Sequence, residues 1–189
     1  TVMFIDIVGF TNLSSYLSPK QLVFLLNLLF SKVDEILDEH GLEKIKTIGD
    51  AYMCAGGLPI PNQSNPIDAV RAGLAMQEYM TAYKNECIAK GEPYFECRLG
   101  INTGEVVAGV VGTKKFAYDI WGDAVNVASR MESSGLPGRI HISESTRAAL
   151  GSDYECEPRG SIEVKGLGQI NTYFLLSKND PFLDEVPEI

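Results

Sequence analysis

Two hydrophobic rhythms alternate along the chain. Val2 to Val8 is an apolar run broken only by Asp6, and it predicts a buried strand. Leu22, Leu25, Leu26, Leu29, Val33, Ile36 and Leu37 then recur at helical spacing. Ser18-Pro19 ahead of them supplies an N-cap and a proline at the first helical position, and His40-Gly41 supplies a stop. Ile45 to Ile48 and Ala51 to Ala55 flank Gly49-Asp50, the pattern of a β-hairpin with Asp50 at its tip. After a Pro-rich loop from Leu58 to Asn65, Asn65-Pro66 opens a second long helix, marked by Ile67, Val70, Leu74, Met76 and Met80.

Beyond it, Cys97, Leu99 and Ile101 predict a strand, with a turn near Gly104 and a further strand from Val106 to Val111. Lys114-Lys115-Phe116 reads as an exposed arm, and a helix is expected from about Gly122 to Ser134. Ile140-His141-Ile142 is a short strand, Ser143 caps a short helix to Leu150, and two or three strands follow up to Leu176. Hairpins mixed into the strand–helix alternation predict an α+β fold: a ferredoxin-like βαββαβ core sheet with helices on one face, plus a small C-terminal subdomain. Residues 1–177 form the expected domain, and 178–189 a loose acidic tail. Neither a Walker A loop nor a GxGxxG fingerprint is present, which speaks against a P-loop or Rossmann site.

Composition narrows the classes. A chain of 189 residues with 45% hydrophobic content suits one packed domain. A net charge of −9 speaks against a nucleic-acid binder, whose footprint would be basic, but not against a nucleotide substrate. Cys54, Cys87, Cys97 and Cys156 form no CxxC pair and have no His at ligand spacing, so they read as reduced, mostly buried thiols of a cytosolic protein. No signal peptide or membrane-length apolar run is visible. The chain begins inside what reads as a core strand, so a fragment with regulatory or membrane segments upstream is expected.

Several residues carry candidate chemistry. A carboxylate inside an apolar strand is costly unless paired or metal-bound, which singles out Asp6. Asp50 alone reads as an ordinary turn acid; the two together read as a site for magnesium-like ions. The turn from Ile7 to Thr11 leads into a helical segment whose backbone N–H groups can cradle phosphate. Asn126 and Arg130 lie four apart and share one helix face. Among Val125, Val127, Ala128 and Met131, Arg130 reads as a buried cation needing a partner such as phosphate, the alternative being a solvated face with a salt bridge. Lys46 offers a cationic hydrogen-bond donor and Asp119 a carboxylate acceptor. The alternative for Lys46 is an exposed strand residue beside Lys44. The two lysines are two apart, so Lys44 is expected to lean to the same face. Arg98, at the start of its strand, and Lys165, in Val164-Lys165-Gly166-Leu167-Gly168, read individually as surface cations. Glu105 reads as an exposed turn acid.

Taken together, Phe4-Ile5-Asp6-Ile7-Val8-Gly9-Phe10-Thr11, Lys44-Ile45-Lys46-Thr47-Ile48-Gly49-Asp50 and the stretch from Tyr118 to Arg130 resemble the catalytic domain of class III nucleotidyl cyclases. The resemblance extends over most of the chain. It implies that Asp6 and Asp50, with Ile7, hold two divalent ions per site, Mg2+ or Mn2+. It places Gly9, Phe10, Thr11 and Ile120 in the substrate-binding set, Arg98 and Lys165 on the β or γ phosphates, and Asn126 and Arg130 at the transition state. In this family Lys with Asp at the base-reading positions marks adenylyl cyclases, and Glu with Cys or Ser marks guanylyl cyclases; Lys46 and Asp119 match the first. The implied activity is conversion of ATP to cyclic AMP and pyrophosphate for intracellular signalling. The implied assembly is a head-to-tail homodimer with a dimerisation arm and two shared sites: Asp6, Asp50 and Arg98 from one chain, the other residues from its partner. A guanylyl cyclase, or a catalytically silent nucleotide-binding dimerisation domain, is the alternative.

Overall fold

A computed structural model describes residues 1–112 and 116–176. Lys114 and Lys115 of the expected arm, and the expected tail at 178–189, lie outside the described residues. The elements run β1 (Val2–Ile7), α1 (Phe10–Tyr16), α2 (Pro19–His40), β2 (Glu43–Ile48), β3 (Ala51–Ala55), α3 (Asn65–Lys90) and β4 (Cys97–Asn102). They continue with β5 (Val107–Val111), β6 (Ala117–Trp121), α4 (Asp123–Ser133), β7 (Ile140–Ser143), α5 (Glu144–Leu150), β8 (Cys156–Val164) and β9 (Gly168–Leu175).

Local chemistry explains the helix ends. At the start of α2, Ser18 and Gln21 cap each other's backbone N–H groups, with Pro19 just inside. At its end Gly41 turns left-handed (φ 66°) and donates its N–H back to the last carbonyls.

Seven strands form one sheet in the order β2-β3-β1-β4-β7-β9-β8. The first four follow the βαββαβ path, with β1 antiparallel to both β3 and β4. β7 then pairs parallel to β4, Leu99 opposite Ile140, so the C-terminal strands are continuous with that sheet.

Strand alternation sorts side chains to two faces. Met3, Ile5 and Ile7 of β1, with Cys97, Leu99 and Ile101 of β4, pack against Leu29, Val33, Ile36 and Leu37 of α2 and Val70 and Met76 of α3. Each such side chain contributes about 1.5–3 kcal/mol through burial. Val2, Phe4, Met53 and Ala55 face the other way and meet Ile120 of β6 and Ala128 of α4. The long helices thus share one face, as expected, and α4 is added on the opposite one.

Strand β4 presents Arg98, Gly100 and Asn102 to α4, opposite Asp6, Phe4 and Val2 of β1. Gly100 is the contact point: a Cβ there would lie 2.0 Å from the Glu132 nitrogen. Asn102 Nδ2 donates to the Ala124 carbonyl at 2.9 Å and holds the helix's first turn.

Strands β5 and β6 form a separate two-stranded ribbon. Sequence patterning identifies β5 but not β6. The ribbon is pinned through Ile120, 2% exposed, while Val107, Val110 and Val111 remain exposed, as does Phe116 of the expected arm.

Candidate active site

Register brings the first cluster together. Asp6, at the end of β1, lies opposite Arg98 on β4 and Ala51 on β3. Asp50 directly precedes Ala51 at the hairpin tip, which places it beside Asp6. Arg98 Nη2 donates to Asp6 Oδ2 at 2.9 Å, and Arg98 Nε donates to Glu132 Oε1 at 3.0 Å. Two carboxylates therefore share one guanidinium, with the Asp50 carboxylate beside Asp6. Burial, then the nearby charge of Asp6, raises the Asp50 carboxyl above its ordinary pKa. Burial and then Asp6 push Glu132 up to about 7, against the opposing pull of Arg98.

This donor set fits a divalent cation. Asp6 and Asp50 offer hard oxygens in a place with more negative charge than Arg98 balances. Among the described residues no group of three or more His, Cys, Asp or Glu is arranged to hold an ion. An ion bound through two carboxylates needs further oxygen donors, and substrate phosphates can supply them. The Ile7 side chain is buried among the helices' apolar residues, so a metal-binding role for Ile7 has to use its backbone. Gly9 turns left-handed (φ 71°) ahead of α1, and no side chain caps the helix's first N–H groups. Gly9 and Thr11 are exposed and Phe10 half-buried.

The second cluster is Lys46 and Asp119, 2.5 Å apart between Nζ and Oδ2. Here the expectation that Lys44 and Lys46 share a face is corrected. Lys44 pairs with Cys54 and Lys46 with Met53, so β2 carries a bulge at Ile45. The extra residue sends Lys44 toward α2, where it meets Asp34 at 2.9 Å and lies 4.7 Å above the Tyr52 ring. Lys46 is left on the α4 side. Burial alone would raise the Asp119 carboxyl, but the bonds from Lys46 and the Ile120 N–H, with the Lys46 charge, hold it below the ordinary value.

Asn126 and Arg130 share the outward face of α4, and both are exposed. The reading of Arg130 as a buried cation is therefore corrected. Ala124, Val127, Ala128 and Met131 take the inward face and leave positions 126 and 130 to solvent. Among the described residues no ion pair engages Arg130 or Lys165. Lys165 is exposed in the turn between β8 and β9, beside Val164, which packs on Val127 and Met131 of α4. His141 lies under the last turn of α4 and donates from Nδ1 to the Met131 carbonyl at 2.7 Å. A cavity of about 740 Å³ opens at the other end of β4, lined by Asn102, Thr103, Glu105, Asp123 and Ser145 among others; it shares no residue with either cluster.

Sequence reasoning missed Glu132, which is 8% exposed. A signal existed. Ala124, Val127, Ala128 and Met131 define a buried stripe, and Glu132 falls on it.

A family model described as the adenylate and guanylate cyclase catalytic domain matches residues 1–177. A rat guanylate cyclase soluble subunit beta-2 is 43% identical over 187 residues, covering 98% of this chain and 27% of the relative. A Mycobacterium bovis adenylate cyclase is 43% identical over 178 residues, covering 94% of this chain and 39% of the relative. The chain thus spans well under half of either protein. Among solved structures, the adenylyl cyclase CyaB from P. aeruginosa superposes with a TM-score of 0.86 at 33% identity, covering 95% of this chain and 94% of that one. The guanylate cyclase domain of RhGC from Catenaria anguillulae, in complex with GTP, gives 0.85 at 36% identity, covering 93% and 94%. With its sheet order, its paired clusters and this breadth of match, the chain belongs to the adenylate and guanylate cyclase catalytic domain family, the class III nucleotidyl cyclases.

Proposed function

We propose that this chain is an adenylyl cyclase catalytic domain, forming cyclic AMP and pyrophosphate from ATP as a homodimer with two shared sites. The observation that carries the choice of base is the Lys46–Asp119 pair, a cationic donor beside an ionised acceptor. Adenine presents an acceptor at N1 and a donor at N6, which these two groups complement. Guanine presents a donor at N1 and an acceptor at O6, so Lys46 would face a donor and Asp119 an acceptor. Polar groups that a bound base covers and leaves unpaired in this way produce large discrimination. Relatives of both specificities match the chain, so the base is read from these two side chains.

In the reaction the ribose 3′-oxygen attacks the α-phosphorus. The new O–P bond replaces the bond to the bridging oxygen of the β-phosphate, and the 3′-hydroxyl proton departs. Two divalent ions, Mg2+ or Mn2+, on Asp6, Asp50 and the Ile7 backbone would supply acidity to the hydroxyl and neutralise pyrophosphate charge. Arg98 and Lys165 grip the β and γ phosphates, with the Gly9-Phe10-Thr11 turn beneath them, and Ile120 backs the adenine. Asn126 orients the ribose, and the planar fork of Arg130 meets charge that grows in the transition state.

The division into two clusters supports the shared site. Asp6, Asp50 and Arg98 form one group, whereas Asn126 and Arg130 face outward from α4, open to a partner chain. No described helix is long and apolar enough to cross a membrane. Upstream regulatory or membrane segments belong to the proposed full-length protein, whose relatives are much longer. The test is parallel incubation with ATP and GTP in magnesium or manganese, followed by product analysis. The proposal requires kcat/KM for ATP to exceed that for GTP by about 100-fold or more. Equal use, or a preference for GTP, overturns the adenylyl assignment, and no cyclic product from either overturns the enzymatic one.

A further inference from the structure

Glu132 is a buried acid that none of the assigned roles uses. It lies two residues beyond Arg130, about 200° around the helix, so it points into its own chain while Arg130 points out. The helix backbone at Glu132 rests directly on Gly100, which drops the carboxylate beside Arg98, the next residue along that face of β4. Glu132 Oε1 takes both the Nε and the Nη2 side of the guanidinium, each at 3.0 Å. Arg98 Nη2 also reaches Asp6 Oδ2 at 2.9 Å, so Arg98 hangs between one group assigned to metal and one that is not.

We propose that Glu132 is a positioning residue for triphosphate binding, anchoring Arg98 so that its guanidinium stays directed into the site when Asp6 is engaged by substrate and its ions. The inference rests on the reading of Arg98 as a phosphate-gripping residue. Positive charge arriving at Asp6 and Asp50 repels the guanidinium and weakens its bond to Asp6. The bond to Glu132 is then the anchor that keeps a long, flexible side chain in place. The bond from Nε, with Nη2 also 3.0 Å from the same oxygen, holds the guanidinium edge at two of its nitrogens.

The experiment uses the intact chain with Arg98→Ala, Glu132→Ala, Glu132→Gln and the double variant Arg98→Ala/Glu132→Ala. The probe is 3′-deoxy-ATP, which lacks the attacking hydroxyl, so binding is read by calorimetry without turnover. KM and kcat for ATP are measured alongside. Loss of the anchor is expected to weaken 3′-deoxy-ATP binding and raise KM about tenfold, the effect of one misplaced charge-assisted bond. Arg98→Ala should lose at least as much, and the double variant should match it within about twofold, because Glu132 acts through Arg98. Glu132→Gln keeps an acceptor oxygen and should fall between wild type and Glu132→Ala; being isosteric, it also carries the test if Glu132→Ala does not fold. Wild-type binding in both Glu132 variants, with Arg98→Ala impaired, overturns the proposal. So does a double variant whose losses simply multiply. Wild-type binding in Arg98→Ala instead removes the reading of Arg98, and the proposal with it.

Discussion

Replacing Gly100 by alanine should separate α4 from the sheet. The new methyl carbon would lie 2.0 Å from the Glu132 nitrogen, 2.5 Å from its Cα and 2.6 Å from the Met131 carbonyl carbon. These are backbone atoms, so no rotamer change relieves the clash. Restoring an ordinary 3.4 Å contact from 2.0 Å requires the helix to lift by roughly 1.4 Å (3.4 − 2.0). Overpacking of this kind costs about 3 kcal/mol, the upper part of the usual range. The shift carries Asn126, Arg130 and Glu132 with it, and a displacement of about 1 Å at the groups proposed to position substrate should lower turnover about 100-fold. Gly73→Ala is the matched control: its methyl would sit 3.4 Å from the Cδ1 atoms of Ile101 and Ile140, within α3. It should be neutral, or stabilise by up to about 1 kcal/mol through helix propensity. Urea unfolding and cyclic nucleotide formation are the assays. A Gly100→Ala protein with wild-type midpoint and wild-type rate would refute the close seating of α4 on β4.

Other outcomes follow from individual side chains. Burial holds the His141 imidazole down to about 4, near Arg139, Arg159 and the Phe174 ring, so it is neutral when folded. Its unfolded pKa is about 6.5, so the stability it contributes is present above pH 6.5 and is lost as pH falls toward 4, by about 3 kcal/mol in full. His141→Gln should therefore flatten the fall in unfolding free energy between pH 7 and 4.5, and an unchanged slope would contradict this. Asp6→Asn and Asp50→Asn each exchange a carboxylate of the proposed metal site for a neutral isostere; turnover should fall at least about 100-fold with little change in the unfolding midpoint. Near-wild-type turnover in magnesium from either would remove the two-ion assignment. Lys46→Glu with Asp119→Cys inverts the hydrogen-bond pattern proposed to face the base and should weaken ATP use. An unchanged ATP preference, measured as a ratio of kcat/KM values, would show that these residues do not read adenine.

Local signals carried much of the fold. Ser18, Pro19 and Gly41 mark both ends of α2 because capping chemistry is written in neighbouring residues. Asp6 and Asp50 stood out because an acid in an apolar strand and an acid at a hairpin tip are both visible in one dimension. What failed depended on three dimensions. The bulge at Ile45 shifts register by one residue and separates Lys44 from Lys46, and nothing in a two-residue spacing announces it. Strand β6 is short, and its order comes from pairing with β5 and from Ile120 docking on the sheet. The exposure of Arg130 follows from which side of α4 Gly100 admits, a fact held on another strand. Glu132 was legible in principle as an acid on a buried stripe, but its pairing with Arg98, held on another strand, was not.

The shared site is the centre of this account, and complementation tests it most directly. On the proposed assignment Asp6→Ala spoils the metal half of a chain, and Arg130→Ala spoils the half contributed by the outward face of α4. Each variant alone should form a dimer with two broken sites. Co-expressed, about half of the dimers are mixed by random exchange, and each of those collects both defects in one site and leaves the other whole, so cyclic AMP formation should recover to about a quarter of wild type. Two inactive variants that stay inactive together, with heterodimers shown to form, would contradict a site built from two chains.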